Sequence, residues 1–119
     1  MDVFEGEIRR IVQEFVPGTQ ITLAHLIANP QPQIYRKLGL ADDSGVDSIG
    51  LMTLTPGESA IIAADVACKS AEIRIEFIDR FSGALLITGD ISSVEAALRG
   101  VLTLFHEQLH YTLPSLTRS

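Results

Sequence analysis

Cysteine occurs once in these 119 residues, at Cys68. A lone thiol excludes an internal disulfide and suits a reducing cytosol. Positive charge is also scarce: nine Lys and Arg stand against fifteen Asp and Glu, a net charge of −6. Nucleic-acid binding needs a basic stripe, and none is present. Apolar runs are short, and none reaches the roughly 18 residues of a membrane span. The opening Met1-Asp2-Val3-Phe4-Glu5-Gly6-Glu7 is acidic and has no signal-peptide character. There is no G-x-x-x-x-G-K phosphate loop, no repeat, no low-complexity tract and no linker long enough to divide the chain. These absences point to one cytoplasmic domain with neither nucleic-acid nor membrane partners.

What the chain has in excess is apolar residue. It is 46% hydrophobic and only 20% charged, with a mean hydropathy of +0.27. A domain of this length buries roughly 65–70% of its unfolded surface. Its interior is too small for so many apolar side chains, so part of the surface is expected to be covered by other subunits.

Taken in order, Phe4, Ile8, Ile11, Val12, Phe15 and Val16 recur at helical spacing until Pro17-Gly18 stops them. The β-branched content would also permit a strand. Gln20 to Ile27 reads as a strand with both faces covered, Ile21, Leu23, His25 and Ile27 on one and Thr22, Ala24 and Leu26 on the other. Asn29-Pro30 resembles an N-cap followed by proline at the first helical position. The short helix carries Ile34, Tyr35 and Leu38 and stops at Gly39. An acidic loop, 41–47, leads to a buried strand, Ile49 to Leu54. Thr55-Pro56-Gly57-Glu58 reads as a capping box opening an Ala-rich helix that runs to about Lys69.

Glu72 to Phe77 alternates and forms the first arm of a β-hairpin; Ala84 to Thr88 forms the second. Its turn can present backbone amides and Arg80 to whatever lies in front. Ser92-Ser93-Val94-Glu95 reads as a second capping box. The helix behind it sets Val94, Ala97, Leu98, Val101, Leu102 and Phe105 on one stripe. The tail, Tyr111 to Ser119, is a weak strand or loose. The order from residue 20 is β-α-β-α-β-β-α. A ferredoxin-like α+β layer, with helices on one face of a mostly antiparallel sheet, carries this order once the chain ends are moved.

Candidate chemistry is thin. His106-Glu107-Gln108-Leu109-His110 matches the H-E-x-x-H zinc signature, but a catalytic zinc needs a third protein ligand and none is marked. The alternative is the polar end of an amphipathic helix. His25 reads as a buried neutral histidine donating to a backbone carbonyl, and Cys68 as a small buried hydrophobe. Asp79-Arg80 reads as an ion pair or subunit contact rather than a catalytic pair. No nucleophile, base and orienting group stand together, and no cofactor or metal is expected. The residues argue for a non-enzymatic, assembling α/β domain; the rival is a small ferredoxin-like regulatory or ligand-binding oligomer.

Four ordered motifs add a family. Gln13-Glu14-Phe15-Val16-Pro17-Gly18, Thr22 to Pro30 (TLAHLIANP), Thr53-Leu54-Thr55-Pro56-Gly57-Glu58 and Asp79-Arg80-Phe81-Ser82-Gly83-Ala84 together resemble the circularly permuted bacterial microcompartment shell proteins. These are the ethanolamine-utilisation S and propanediol-utilisation U types, with a choline-utilisation branch. The resemblance covers about residues 11–118. It implies a permuted ferredoxin-like domain over 19–119, with 20–38 as the moved piece and 1–18 as an N-terminal extension. It implies homohexamers that tile with other shell proteins around encapsulated enzymes, within the cytoplasmic shell. The turn Arg80, Phe81, Ser82 and Gly83 would line the hexamer axis, where a ring of Arg or amides favours small anions or polar metabolites. Lys69 would lie at the edge between hexamers. The extension would supply one strand of a six-stranded barrel over the pore, with Ile8, Arg10, Val12 and Glu14 as its residues.

Overall fold

In a computed structural model, residues 18–40 and 46–119 are described. The helix or barrel strand expected over 4–16, with Ile8, Arg10, Val12 and Glu14, lies outside the described residues, as does most of the acidic loop.

Strand β1 (Gln20–Ala28) is followed by helix α1 (Pro32–Leu38), β2 (Ser48–Thr55), α2 (Ser59–Ser70), the hairpin β3 (Arg74–Asp79) and β4 (Ala84–Gly89), α3 (Ile91–Glu107) and a short β5 (Thr117–Arg118). The expected order holds, with β5 added by the tail. The sheet runs β3-β4-β2-β1-β5. All neighbouring pairs are antiparallel except β1 with β5.

Helices α2 and α3 cover one face. The core there joins Ala24 and Leu26 of β1, Met52 and Leu54 of β2, and Leu85 and Ile87 of β4 to the helices. From α3 come Val94, Ala97, Leu98, Val101 and Phe105, all at most 1% exposed, which is the stripe the spacing predicts. From α2 come Ala60, Ala63, Ala64 and Ala67. Methyl-sized side chains bring this helix close to the sheet and to α3, so it contributes contact through proximity rather than bulk. Tyr111 closes the core from the tail, its ring meeting Phe105 edge-on at 4.8 Å and its hydroxyl bonded to Ser59 Oγ.

The short α1 lies on the other face. Its Tyr35 packs with Ile49 and Leu86, flanked by Ile27, Leu40 and Leu51, and the Tyr35 hydroxyl donates to the Val46 carbonyl. The helices therefore divide between the faces, two long ones on one and one short one on the other.

Several local readings are corrected. A register shift between Ile21 and Leu23 turns Ile21 to the core beside Ala24 and Leu26, leaving Leu23, His25 and Ile27 on the other face. One extra residue inverts the alternation that follows it. A similar shift between Ile75 and Phe77 interrupts β3. The cap before α1 is Gln31, with Pro32 in the first turn, while Gly39 takes the left-handed C-cap as expected. Thr55 ends β2 instead of capping, and α2 starts after Glu58 without a side-chain cap. Helix α3 is capped by Asp90, whose carboxylate accepts from Ser93 N–H at 2.8 Å, two residues before the expected box.

Where the hairpin turns, Gly83 has φ +79° and a side-chain carbon there would strike the Leu54 carbonyl oxygen. Alanine at this position meets both a left-handed backbone and a collision. Gly83→Ala is expected to lower the urea unfolding free energy by about 1–3 kcal/mol. At Gly18 a side-chain carbon meets nothing within 4 Å, so Gly18→Ala should stay within about 0.5 kcal/mol of wild type. Equal midpoints for the two variants would contradict the tight fit.

Candidate functional site: the hairpin turn and the ends of helix α2

The turn between β3 and β4 is built by Asp79. Its carboxylate accepts from the backbone N–H of Phe81 at 2.9 Å and of Ser82 at 3.4 Å. The Asp79 carbonyl accepts from Gly83 N–H at 2.7 Å, and Ala84 N–H donates to Ser82 Oγ at 3.3 Å. An Asp at the start of a turn, bonding amides two and three residues on, is the local chemistry that favours this residue there. Four consecutive amides are thereby consumed. The sequence reading had this turn presenting its amides; the structure turns them inward.

What the turn does present is Phe81, 85% exposed. The Arg80 guanidinium lies 5.0 Å from the Phe81 ring centroid, a cation–π contact. Asp79 and Arg80 thus serve different partners, one the backbone and the other an aromatic ring. The exposed aromatic is the feature that sequence reasoning underweighted. Its only sequence signal is a large apolar residue at a polar turn.

The turn is fastened to the β2–α2 junction. Leu54 N–H donates to the Gly83 carbonyl at 2.9 Å, and Gly57 lies so close beneath the Arg80 carbonyl that a side chain would collide with it. Helix α2 therefore starts beside the turn. Its 12 residues extend about 18 Å at the α-helical rise and carry Lys69 to the far end. There the Lys69 ammonium meets Asp65 at 2.8 Å, with both side chains largely exposed. The Asp65 hydrogen bond and charge hold the Lys69 ammonium above its ordinary pKa.

The other candidates are placed as follows. Cys68 is exposed on α2, not buried; the Ala-rich helix buries Ala63, Ala64 and Ala67 and turns Cys68 outward. His25 bonds hydroxyls rather than a backbone carbonyl, with Nδ1 2.6 Å from Thr117 Oγ1 and Nε2 2.8 Å from Ser119 Oγ. Helix α3 ends at Glu107, and His110 has φ +59°. His106 and His110 are consequently not one turn apart on a helix, as the zinc motif requires. No group of three His, Cys, Asp or Glu able to hold a metal occurs among the described residues.

The BMC domain family matches residues 48–114, from the start of β2 through the hairpin and α3. The chain is 51% identical over 110 residues to bacterial microcompartment shell protein PduU of Salmonella typhimurium, covering 92% of this chain and 93% of that one. It is 52% identical over 110 residues to shell protein EutS of Escherichia coli, covering 92% and 96%. The chain belongs to the BMC-domain shell-protein family. Among solved structures, the CutR flat hexamer superposes with a TM-score of 0.82 at 48% identity, over 92% of this chain and 99% of that one. The BMC match begins at β2, so β1 and α1 precede it. Shell-family membership accounts for a site built of surfaces: its described residues offer an exposed aromatic turn, an exposed lysine and apolar faces.

Asp79 and Asp90 each carry a carboxyl whose hydrogen bonds favour its ionised form. The Phe81 N–H, then the Ser82 hydroxyl, hold the Asp79 carboxyl below its ordinary pKa. The Ser93 N–H, then the Ser92 hydroxyl, do the same for Asp90. Both groups bind their protons less tightly when folded. Their contribution is fully present above the unfolded value of about 3.9 and is lost as pH falls through the lower folded values. An Asp79→Ala, Asp90→Ala chain should start from a lower Tm at pH 6 and lose less of it between pH 4 and pH 2 than wild type. Parallel acid limbs in the two thermal profiles would contradict the assignment.

Proposed function

We propose that this protein is a structural, non-catalytic subunit of a bacterial microcompartment shell, assembling as cyclic hexamers that tile edge to edge. The observation that carries the reading is the 48% identity and 0.82 TM-score to the CutR flat hexamer over nearly the whole chain.

Within the hexamer, the turn Arg80, Phe81, Ser82 and Gly83 faces the axis and Lys69 faces the neighbouring hexamer. The two candidates sit at opposite ends of α2, which supports an inner and an outer role. Six turns present six Phe81 rings backed by six Arg80 guanidiniums. With the amides already bonded, selection of small metabolites rests on aromatic bulk and positive charge. The N-terminal extension covers this axis. It joins the described fold at Gly18, and Gln20 pairs with Thr55, next to the Leu54 that anchors the turn. Strand β1 thus starts at the end of the sheet where the pore would open. Other shell proteins and encapsulated enzymes are the partners this role entails.

Native mass spectrometry is expected to show six copies of the 12.9 kDa chain. Lys69→Ala should leave that species intact while abolishing sheets or tubes in electron micrographs. A monomer at high concentration would overturn the shell reading. Loss of the hexamer in the Lys69 variant would overturn the edge assignment alone.

A further inference from the structure

Two exposed apolar surfaces of this chain are unlike one another and lie on opposite sides of the sheet. The first is a cleft of about 410 Å³ lined by Leu23, Leu38, Leu40, Leu51, Phe77 and Leu86. It lies on the face away from α2 and α3, between α1 and the hairpin arm. Leu38 and Phe77 are each 50% exposed there, an unfavourable state for large side chains in water. The second surface is a ridge in the first turns of α2, where Ile61 and Ile62 are 50% and 46% exposed. These adjacent isoleucines project from the helix away from its buried alanines.

Both surfaces sit at the same end of the molecule. Leu23, Thr53 and Ala84 occupy one register row, and Ala84 pairs with Asp79 at the last step before the turn. The Leu51, Leu86 and Phe77 row follows closely. Ile61 and Ile62 stand just beyond Gly57, which abuts the Arg80 carbonyl. The hairpin turn therefore projects between the concave surface and the convex one.

A ring generated by rotation alone cannot pair a surface with itself. Each copy must offer one surface forward and a different one backward. We propose that the Ile61–Ile62 ridge of one copy seats in the Leu23–Phe77 cleft of the next. The occupant of the cleft is thus a second copy of this chain, and the cleft is incomplete without it. The inference rests on the hexameric reading above. It adds which two surfaces meet, and it brings six turns inward because both surfaces flank the turn.

The test uses two double variants of the full chain. Leu23→Asp with Phe77→Asp removes the cleft and keeps the ridge. Ile61→Asp with Ile62→Asp removes the ridge and keeps the cleft. Folding is checked by far-UV circular dichroism; if either Asp pair unfolds the chain, the corresponding Ser pair replaces it. Wild type is expected to form six-chain rings and each variant alone to be monomeric. An equimolar mixture, with one variant isotopically labelled, is expected to give a one-to-one heterodimer that grows no further, since only one ridge and one cleft survive. Rings that persist in both variants, or a mixture that stays monomeric while wild type forms rings, would overturn the docking and leave the shell reading standing. A monomeric wild type would overturn the shell reading and this inference with it.

Discussion

The hairpin turn is held against the β2–α2 junction at a distance only two glycines allow. Gly83 lies on the Leu54 carbonyl, and Gly57 lies under the Arg80 carbonyl. A backbone hydrogen bond, from Leu54 N–H to the Gly83 carbonyl, fastens them. Much else follows from that contact. It fixes where α2 begins, and hence that Ile61 and Ile62 lie beside the turn while Lys69 lies far from it. It also fixes the rows where β2 ends and β4 begins, which shape the cleft on the opposite face. With the Asp79 carboxylate occupied by amides, Phe81 and Arg80 are left pointing outward from a rigid base.

The composition posed a question that this arrangement answers. A chain this short holds more apolar residues than its interior can use. The core is well filled, from Ile21 through Phe105 to Tyr111, yet Leu38, Ile61, Ile62, Phe77 and Phe81 remain in solvent. They gather around one end of the sheet rather than scattering singly. Patches of that kind mark contact surfaces, and in a family with hexameric members the excess is surface kept for neighbouring copies.

Much of the fold was legible because its periodic segments are long. The α3 stripe from Val94 to Phe105 needed only spacing, and the hairpin needed only two apolar arms around a charged glycine turn. What misled was local and short. Ile21 was assigned to the wrong face because a register shift one residue later is invisible in the pattern. Both capping boxes satisfied the motif, yet Thr55 was drawn into β2 and Asp90 reached Ser93 first. Cys68 lay on a helix so rich in alanine that the pattern left its buried side undecided. The partners of His25 are 92 and 94 residues away, which no local rule reaches. For the site, the motif residues could be named but not their presentation. That the amides face inward and Phe81 faces out depends on how the Asp79 carboxylate is used.

The ends of the sheet carry a further consequence. A β-sheet exposes unpaired backbone groups along its outer strands, and crowded copies tend to join through them into fibres. Here β3, one outer strand, is irregular at Glu76, which is bonded to Arg74 and Thr88, so it offers a poor straight template. On the other side β1 is shielded by the two-residue β5, held in place by Thr117 and Ser119 on His25. Growth by strand addition is blunted in both directions. A shell-family subunit can then meet its neighbours as an intact unit, through side-chain surfaces and not through open strand edges.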